Sequence, residues 1–185
     1  HKNIKLMRNT LTILYTILSL AVYAQSDTLA FPQNWQGQYA GTLEIFNATG
    51  IAQNLPMELH ILPIDSSDNY TWTIIYGEDK VAGARNYELI EVDKTKGLYK
   101  IDEKNSIILE GYLFGDTFIQ TFEVQGSLLT TKTQKINDNQ ITWEIIFGGF
   151  EPVNTTGNQV IKGDTIPPVK AFPIKGIQKA LLTRT

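Results

Sequence analysis

From Gly37 to Leu182 the chain alternates apolar and polar residues with a period close to two. In NWQGQYAGTLEI, Tyr39, Gly41, Leu43 and Ile45 share one side, with Gln38, Thr42 and Glu44 opposite. Met57, Leu59 and Ile61 alternate with Glu58, His60 and Leu62, and Tyr70, Trp72, Ile74 and Tyr76 alternate with Thr71 and Thr73. The pattern continues through NYELIEV and over 98–101, 107–114, 117–124, 128–136, 141–147 and about 176–182. Segments rich in aromatic and β-branched residues at this period suit a pleated surface, so about ten strands are expected. No segment after the N-terminal apolar run repeats at the helical period over a useful length, which excludes an α/β fold and a helical bundle.

The punctuation is short. Asp65 to Asn69, Asp93 to Gly97, Gly115-Asp116, Gln125-Gly126 and Asn137 to Asn139 supply residues that tolerate positive φ or cap a turn with their own side chains. Short links between consecutive strands imply antiparallel neighbours, hence an up-and-down meander. Closure into a single antiparallel β-barrel is the simplest way to remove the exposed edges of such a sheet. Lys, Glu, Gln and Thr on both faces of several strands argue against a lipid-facing barrel. One link breaks the rhythm: 150–172, EPVNTTGNQVIKGDTIPPVKA and its flanking phenylalanines, is either a flap over a barrel mouth or a surface loop.

Composition changes this picture at the N-terminus. Lys2, Lys5 and Arg8 precede an apolar run from Leu11 to Val22, and Val22-Tyr23-Ala24 offers small residues where a signal peptidase reads. A signal peptide over 1–24 is expected, with the barrel domain over 25–185 and export to the periplasm or beyond. The apolar run falls short of the roughly 20 residues that span a bilayer, so no membrane span is expected after cleavage. Met7 followed by Arg8 would also begin a compact signal.

The 185 residues fit one domain, and 42% hydrophobic with 19% charged is the balance of a folded one. A net charge of -3 with no basic cluster argues against nucleic-acid binding. The absence of cysteine excludes disulfides, thiolate metal sites and a cysteine nucleophile. The N-x-[ST] sequences at Asn47, Asn69 and Asn154 decide nothing.

The head of the first strand, Trp35-Gln36-Gly37 and then Tyr39-Ala40-Gly41, resembles strand one of the calycin superfamily, the lipocalins and fatty-acid-binding proteins. The resemblance implies a barrel whose base is closed by the Trp against a basic side chain of the last strand, here Lys179 or Arg184 in KGIQKALLTR. Gly37 and Gly41 would then be points of sharp bending or close crossing. Lipocalins usually carry Gly-x-Trp where this chain has Trp-x-Gly, and the helices of both families have no counterpart here. From about Phe31 to Arg184 the layout looks like the lipocalin-like domains of exported bacterial proteins.

Candidate chemistry is sparse. His60, the histidine left after signal removal, alternates with Met57, Leu59 and Ile61 and reads as an exposed strand residue, not a general acid or heme ligand. The acidic pairs Glu78-Asp79 and Asp102-Glu103, and Asp65 with Asp68, sit at turns, without the Ca²⁺-loop series. No phosphate loop and no nucleophile elbow occurs. No catalytic residue, cofactor or metal is therefore assigned.

Aromatics recur along the strands, either as core filling or as the lining of a pocket. A pocket would use Trp72, Tyr87, Tyr112 and Trp143, with Arg85 reaching a ligand carboxylate if it points inward. The expected function is an exported, non-enzymatic barrel holding a small apolar or amphipathic ligand. The alternatives are a filled-core barrel acting through its loops on a protein partner and, behind it, a heme-binding or isomerase-type barrel.

Overall fold

The computed structural model describes residues 30–185, so the expected signal segment and its cleavage site lie outside the described residues. The chain divides into two compact units, 1–34 and 35–185. The described part of the first is a turn in which the Asn34 N–H donates to the Ala30 carbonyl at 3.0 Å.

The second unit is built from β1 (Gly37–Asn47), β2 (Gly50–Ile61), β3 (Tyr70–Tyr76), β4 (Ala84–Asp93), β5 (Leu98–Asp102), β6 (Ile108–Phe114), β7 (Thr117–Val124), β8 (Ser127–Asn137), β9 (Gln140–Gly149), β10 (Asn154–Thr156), β11 (Gln159–Ile161), β12 (Asp164–Ile166), β13 (Val169–Ala171) and β14 (Ile174–Arg184). Strands β1 to β9 pair in sequence order and β14 closes the sheet between β9 and β1, giving a ten-stranded antiparallel up-and-down barrel. Full closure leaves the sheet without an edge, which a ten-strand meander would otherwise expose.

One phase of each strand faces inward. Tyr39, Leu43, Met57, Leu59, Ile61, Trp72, Leu89, Tyr99, Ile101, Phe118, Ile141, Trp143 and Leu182 are buried there. The opposite phase is mostly polar, with Ile108, Tyr112 and Phe114 of β6 as an apolar exception. Glu44, Lys179, Glu144 and Lys132 form one register row across four neighbouring strands, alternating in charge. Opposite charges directly across a sheet support the pairing by a few tenths of a kcal/mol to about 1 kcal/mol each. No helix among the described residues is long and apolar enough to cross a membrane.

Two local expectations are corrected. Strand β2 starts at Gly50, directly after a turn in which Asn47 Oδ1 accepts from the Thr49 N–H at 2.8 Å, so the sequence before Met57 is strand. Pro56 is accommodated within it, opposite Thr42, where β3 has already ended. The segment 150–172 is not a plain loop either. Strands β10 and β13 pair, as do β11 and β12, forming an interrupted hairpin arm. Val153, Val160, Val169 and Phe172 are exposed on it, so it does not fold down as a flap over the interior.

The base is built from both ends of the unit. Trp35 is 1% exposed and Tyr39 is fully buried. The Tyr39 hydroxyl donates to the Trp35 carbonyl at 3.0 Å and accepts from Arg184 Nη2 at 2.8 Å. The Arg184 guanidinium also lies 5.1 Å from the Tyr39 ring centre, and its Nε donates to the Asp138 carbonyl at 3.0 Å. A Cβ on Gly37, whose φ is 154°, would come within 2.9 Å of Arg184 Nη1. A Cβ on Gly41 would meet the Leu181 carbonyl oxygen at 2.3 Å. Both glycines therefore let the last strand approach the first.

Lys179 is a correction. It alternates with the inward Ala180, points outward, and lies 4.5 Å over the Phe46 ring, away from the base.

On the outer wall Glu88 accepts hydrogen bonds from Lys104 Nζ and Asn69 Nδ2. The Lys104 contact, then the Asn69 contact, hold its carboxyl below the usual range. A lowered folded value means that this contribution is complete above the ordinary glutamate range near about 4.3 and is lost as pH falls through the folded value. Glu88→Gln is expected to lose about 1 kcal/mol at pH 7. Urea titrations at stepped pH should show that gap closing below about pH 4.

Candidate ligand cavity

In an up-and-down barrel the C-terminal ends of β1, β3, β5, β7 and β9 lie at the end opposite Trp35. Phe122 stands in the second half of β7, Tyr76 ends β3, and Glu103 follows β5. These side chains line an internal cavity of about 140 Å³, together with Trp72, Ile74, Tyr87, Ile101, Leu109, Gln120, Thr131, Thr133, Trp143 and Ile145. Its position follows from packing. Toward the base, Phe118 meets Trp72 and Tyr99 edge-on at 5.6 and 6.2 Å between ring centres and fills the barrel axis. Toward the mouth, Tyr76 meets Trp143 edge-on at 6.2 Å and the rings no longer reach across. Such edge-to-face contacts contribute about 0.5–1.5 kcal/mol beyond burial and hold the rings at fixed angles.

The lining is amphipathic. Burial raises the Tyr76 hydroxyl well above the ordinary phenol range, with Tyr87 reinforcing and Arg85 opposing the shift. Burial also raises Tyr87, with Glu103 adding to it. Both phenols therefore stay protonated at neutral pH and present O–H donors to the cavity. Gln120, buried on the same wall, donates from Nε2 to the Leu109 carbonyl at 3.3 Å and accepts from Thr131 Oγ1 at 3.4 Å. Rings, amide, hydroxyls and one carboxylate around a ring-sized space suit a small ligand with both apolar faces and polar edges. The volume is below the roughly 300–1,000 Å³ of drug-sized sites and close to that of an apolar cavity of about 150 Å³ that takes up benzene.

The candidate residues divide. Trp72, Tyr87 and Trp143 stand together on the cavity wall. Tyr112 does not: it is 43% exposed on the outer face, because the inward phase of β6 runs through Gly111, which lies beneath the Phe118 ring. Arg85 pairs with the inward Ile74 but sits exposed at the rim, its Nη1 donating to the Ala82 and Ala84 carbonyls at 3.2 and 3.0 Å. His60 is on the outer wall, 2.9 Å from Glu58, and takes no part in the cavity. Among the described residues no cluster of His, Cys, Asp and Glu could hold a metal ion. Gln120, Thr131 and Thr133 were not singled out from sequence, and Glu103 was read there only as part of an acidic pair at a turn. The available signal was a polar residue standing in the inward phase, as Gln120 does between Phe118 and Phe122.

Two other depressions lie on the outside. One, of about 700 Å³, covers the charged row of Glu44, Lys179, Glu144 and Lys132. The other, of about 510 Å³, is mostly apolar and follows β6 and β7 past Ile108, Tyr112, Phe114 and Ile119, with Glu110 and Thr121 also on its wall.

No protein-family model matches the chain, and no curated protein matches it in sequence. Among solved structures it is similar to a protein of unknown function from the DUF3598 family of Nostoc punctiforme, at 9% identity and a TM-score of 0.57 over 83% of this chain. The similarity spans 48% of the Nostoc protein, about half its length. The S-type phycobiliprotein lyase CpeS from Guillardia theta is similar at 8% identity and a TM-score of 0.51, over 83% of this chain and 89% of the lyase. A third structure, EF1p2_mFAP2b bound to DFHBI, aligns at 14% identity over 83% of this chain and 95% of its own, with a TM-score of 0.36, too low to establish a shared fold. The first two likenesses show a shared fold and nothing finer.

Proposed function

We propose that this chain is an exported, non-enzymatic barrel that holds a small amphipathic ligand between Trp72, Tyr87 and Trp143. The cavity carries the reading: the barrel is closed at its Trp35 end and leaves about 140 Å³ unfilled at the other, walled by rings, by neutral hydrogen-bonding groups and by the Glu103 carboxylate. That unfilled space also weighs against a solid core serving only as a platform for loops. A general acid–base role for histidine has no support, because His60 faces away from the cavity. Export rests on the N-terminal sequence alone.

Native mass spectrometry of the mature chain, purified without detergent, provides the test. A bound mass released on denaturation is expected, and Thr133→Phe, which drives a ring into the cavity from a wall position 3% exposed, should abolish it. Retention of the same mass by Thr133→Phe, with the fold intact by circular dichroism, would place the ligand elsewhere. A bare wild-type chain that also fails to take up phenol at millimolar concentration would overturn the reading.

A further inference from the structure

The barrel wall is not uniformly sealed. Backbone pairing between β6 and β7 covers Tyr112 with Ile119, Leu113 with Phe118, and Phe114 with Thr117, and then stops. Continued in register, Gly111 would face Gln120 and Leu109 would face Phe122, but the ladder there is open. The neighbouring seams of the same strands continue: β5–β6 is paired from Leu98 to Asp102, and β7–β8 from Thr117 to Val124. Across the opening the Gln120 side chain reaches the Leu109 carbonyl at 3.3 Å, taking the place of a ladder hydrogen bond.

Leu109 and Phe122 line the internal cavity and also the mostly apolar groove outside. Both residues flank the stretch of the ladder that is left unpaired, so the wall between cavity and groove lacks backbone hydrogen bonds at this seam. Outside it, Ile108, Tyr112 and Phe114 are 56%, 43% and 65% exposed on outward positions of one strand, with Glu110 between Ile108 and Tyr112. Exposed apolar side chains gathered beside an unpaired seam are a costly arrangement for a wall that nothing covers.

We propose that the β6–β7 seam is the second half of the ligand site, and that the ligand is a single-chain amphiphile. Its ring-sized polar head occupies the internal cavity beside Tyr76, Tyr87 and Gln120, and its aliphatic chain leaves through the seam into the groove of Ile108, Tyr112 and Phe114. This rests on the interior-binding reading above and adds the shape of the ligand. The volumes fit that division: about 140 Å³ inside accepts a ring, whereas about 510 Å³ outside accepts a chain of several methylenes. A ring alone offers few atoms for contact, so tight retention needs the chain.

Phenol and 4-octylphenol, kept below its aggregation threshold, serve as probes, read by the fluorescence of Trp72 and Trp143 on the cavity wall. The octyl chain is expected to tighten binding at least thirtyfold. The double substitution Tyr112→Ser and Phe114→Ser should remove most of that gain and leave phenol affinity unchanged, since neither residue lines the cavity. Thr133→Phe should abolish binding of both probes. If phenol binds but the chain adds nothing, or the gain survives the Tyr112/Phe114 double variant, the seam proposal fails while interior binding stands. If neither probe binds, both fall.

Discussion

Replacing Trp35 by alanine is expected to lower the stability of the barrel by about 3–5 kcal/mol, the range for truncating a fully buried large aromatic. For a domain of this size that corresponds to a melting temperature lower by roughly 6–20 °C. The loss combines two effects. Removal of a side chain that is 1% exposed leaves a void at the base, and the carbonyl that accepts from Tyr39 becomes free to move. Once that carbonyl shifts, the Tyr39 hydroxyl and the Arg184 guanidinium stacked on its ring lose their fixed geometry together. Arg184→Ala should cost less, about 1–2 kcal/mol, because Arg184 is exposed and the Tyr39 bond to Trp35 survives. Differential scanning calorimetry of the two variants and their combination checks this. A combined loss smaller than the sum would show that Trp35 and Arg184 act on one shared element, Tyr39.

The same residues show why the base was legible before the fold was known. A Trp at the head of an alternating strand, followed by glycines at inward or crossing positions, has few uses other than closing a sheet on itself. In the register Gly41 faces Leu182 of the last strand. Strand positions were legible for a related reason. Burial on one side imposes period two, and nine of the ten barrel strands stand where that period runs, with β2 extended toward the N-terminus.

The arm was illegible because burial is what writes the pattern. Strands β10 to β13 bury almost nothing, so nothing marks their three-residue ladders in VNTTGNQVIKGDTIPPVKA. Tyr112 was misassigned for a different reason: β6 alternates two apolar faces, Leu109 and Leu113 inward, Ile108, Tyr112 and Phe114 outward. Period alone does not say which apolar face is the core. The small inward residue, Gly111, does, because only a glycine fits beneath the Phe118 ring. The outward face that looked like core is the face that the seam proposal puts to use.

Phe118→Ala is the substitution expected to change both stability and binding. Its ring is 2% exposed and packs edge-on against Tyr99 and against Trp72, a residue of the cavity wall, so it supports the cavity from the base side. Truncation should cost about 3–5 kcal/mol if the site does not collapse. Collapse is resisted on both sides. Gly111 beneath the ring has no side chain to move in, and Trp72 is held on the wall by the pairing of Trp72 with Tyr87. The space vacated by the ring therefore joins the existing cavity, roughly doubling it by the volume of a benzene. An apolar void of that size stays available to an apolar guest, so the variant should recover part of its stability on adding indole, which is too large for the wild-type space. The expected observation is a melting temperature that rises with indole concentration in Phe118→Ala and stays flat in the wild type, because a ligand that binds only the folded state stabilises it by mass action. A variant that loses stability without gaining an indole response would mean that the wall closes over the void, and that the wild-type cavity owes its size to the Phe118 ring and not to the rigidity of the barrel.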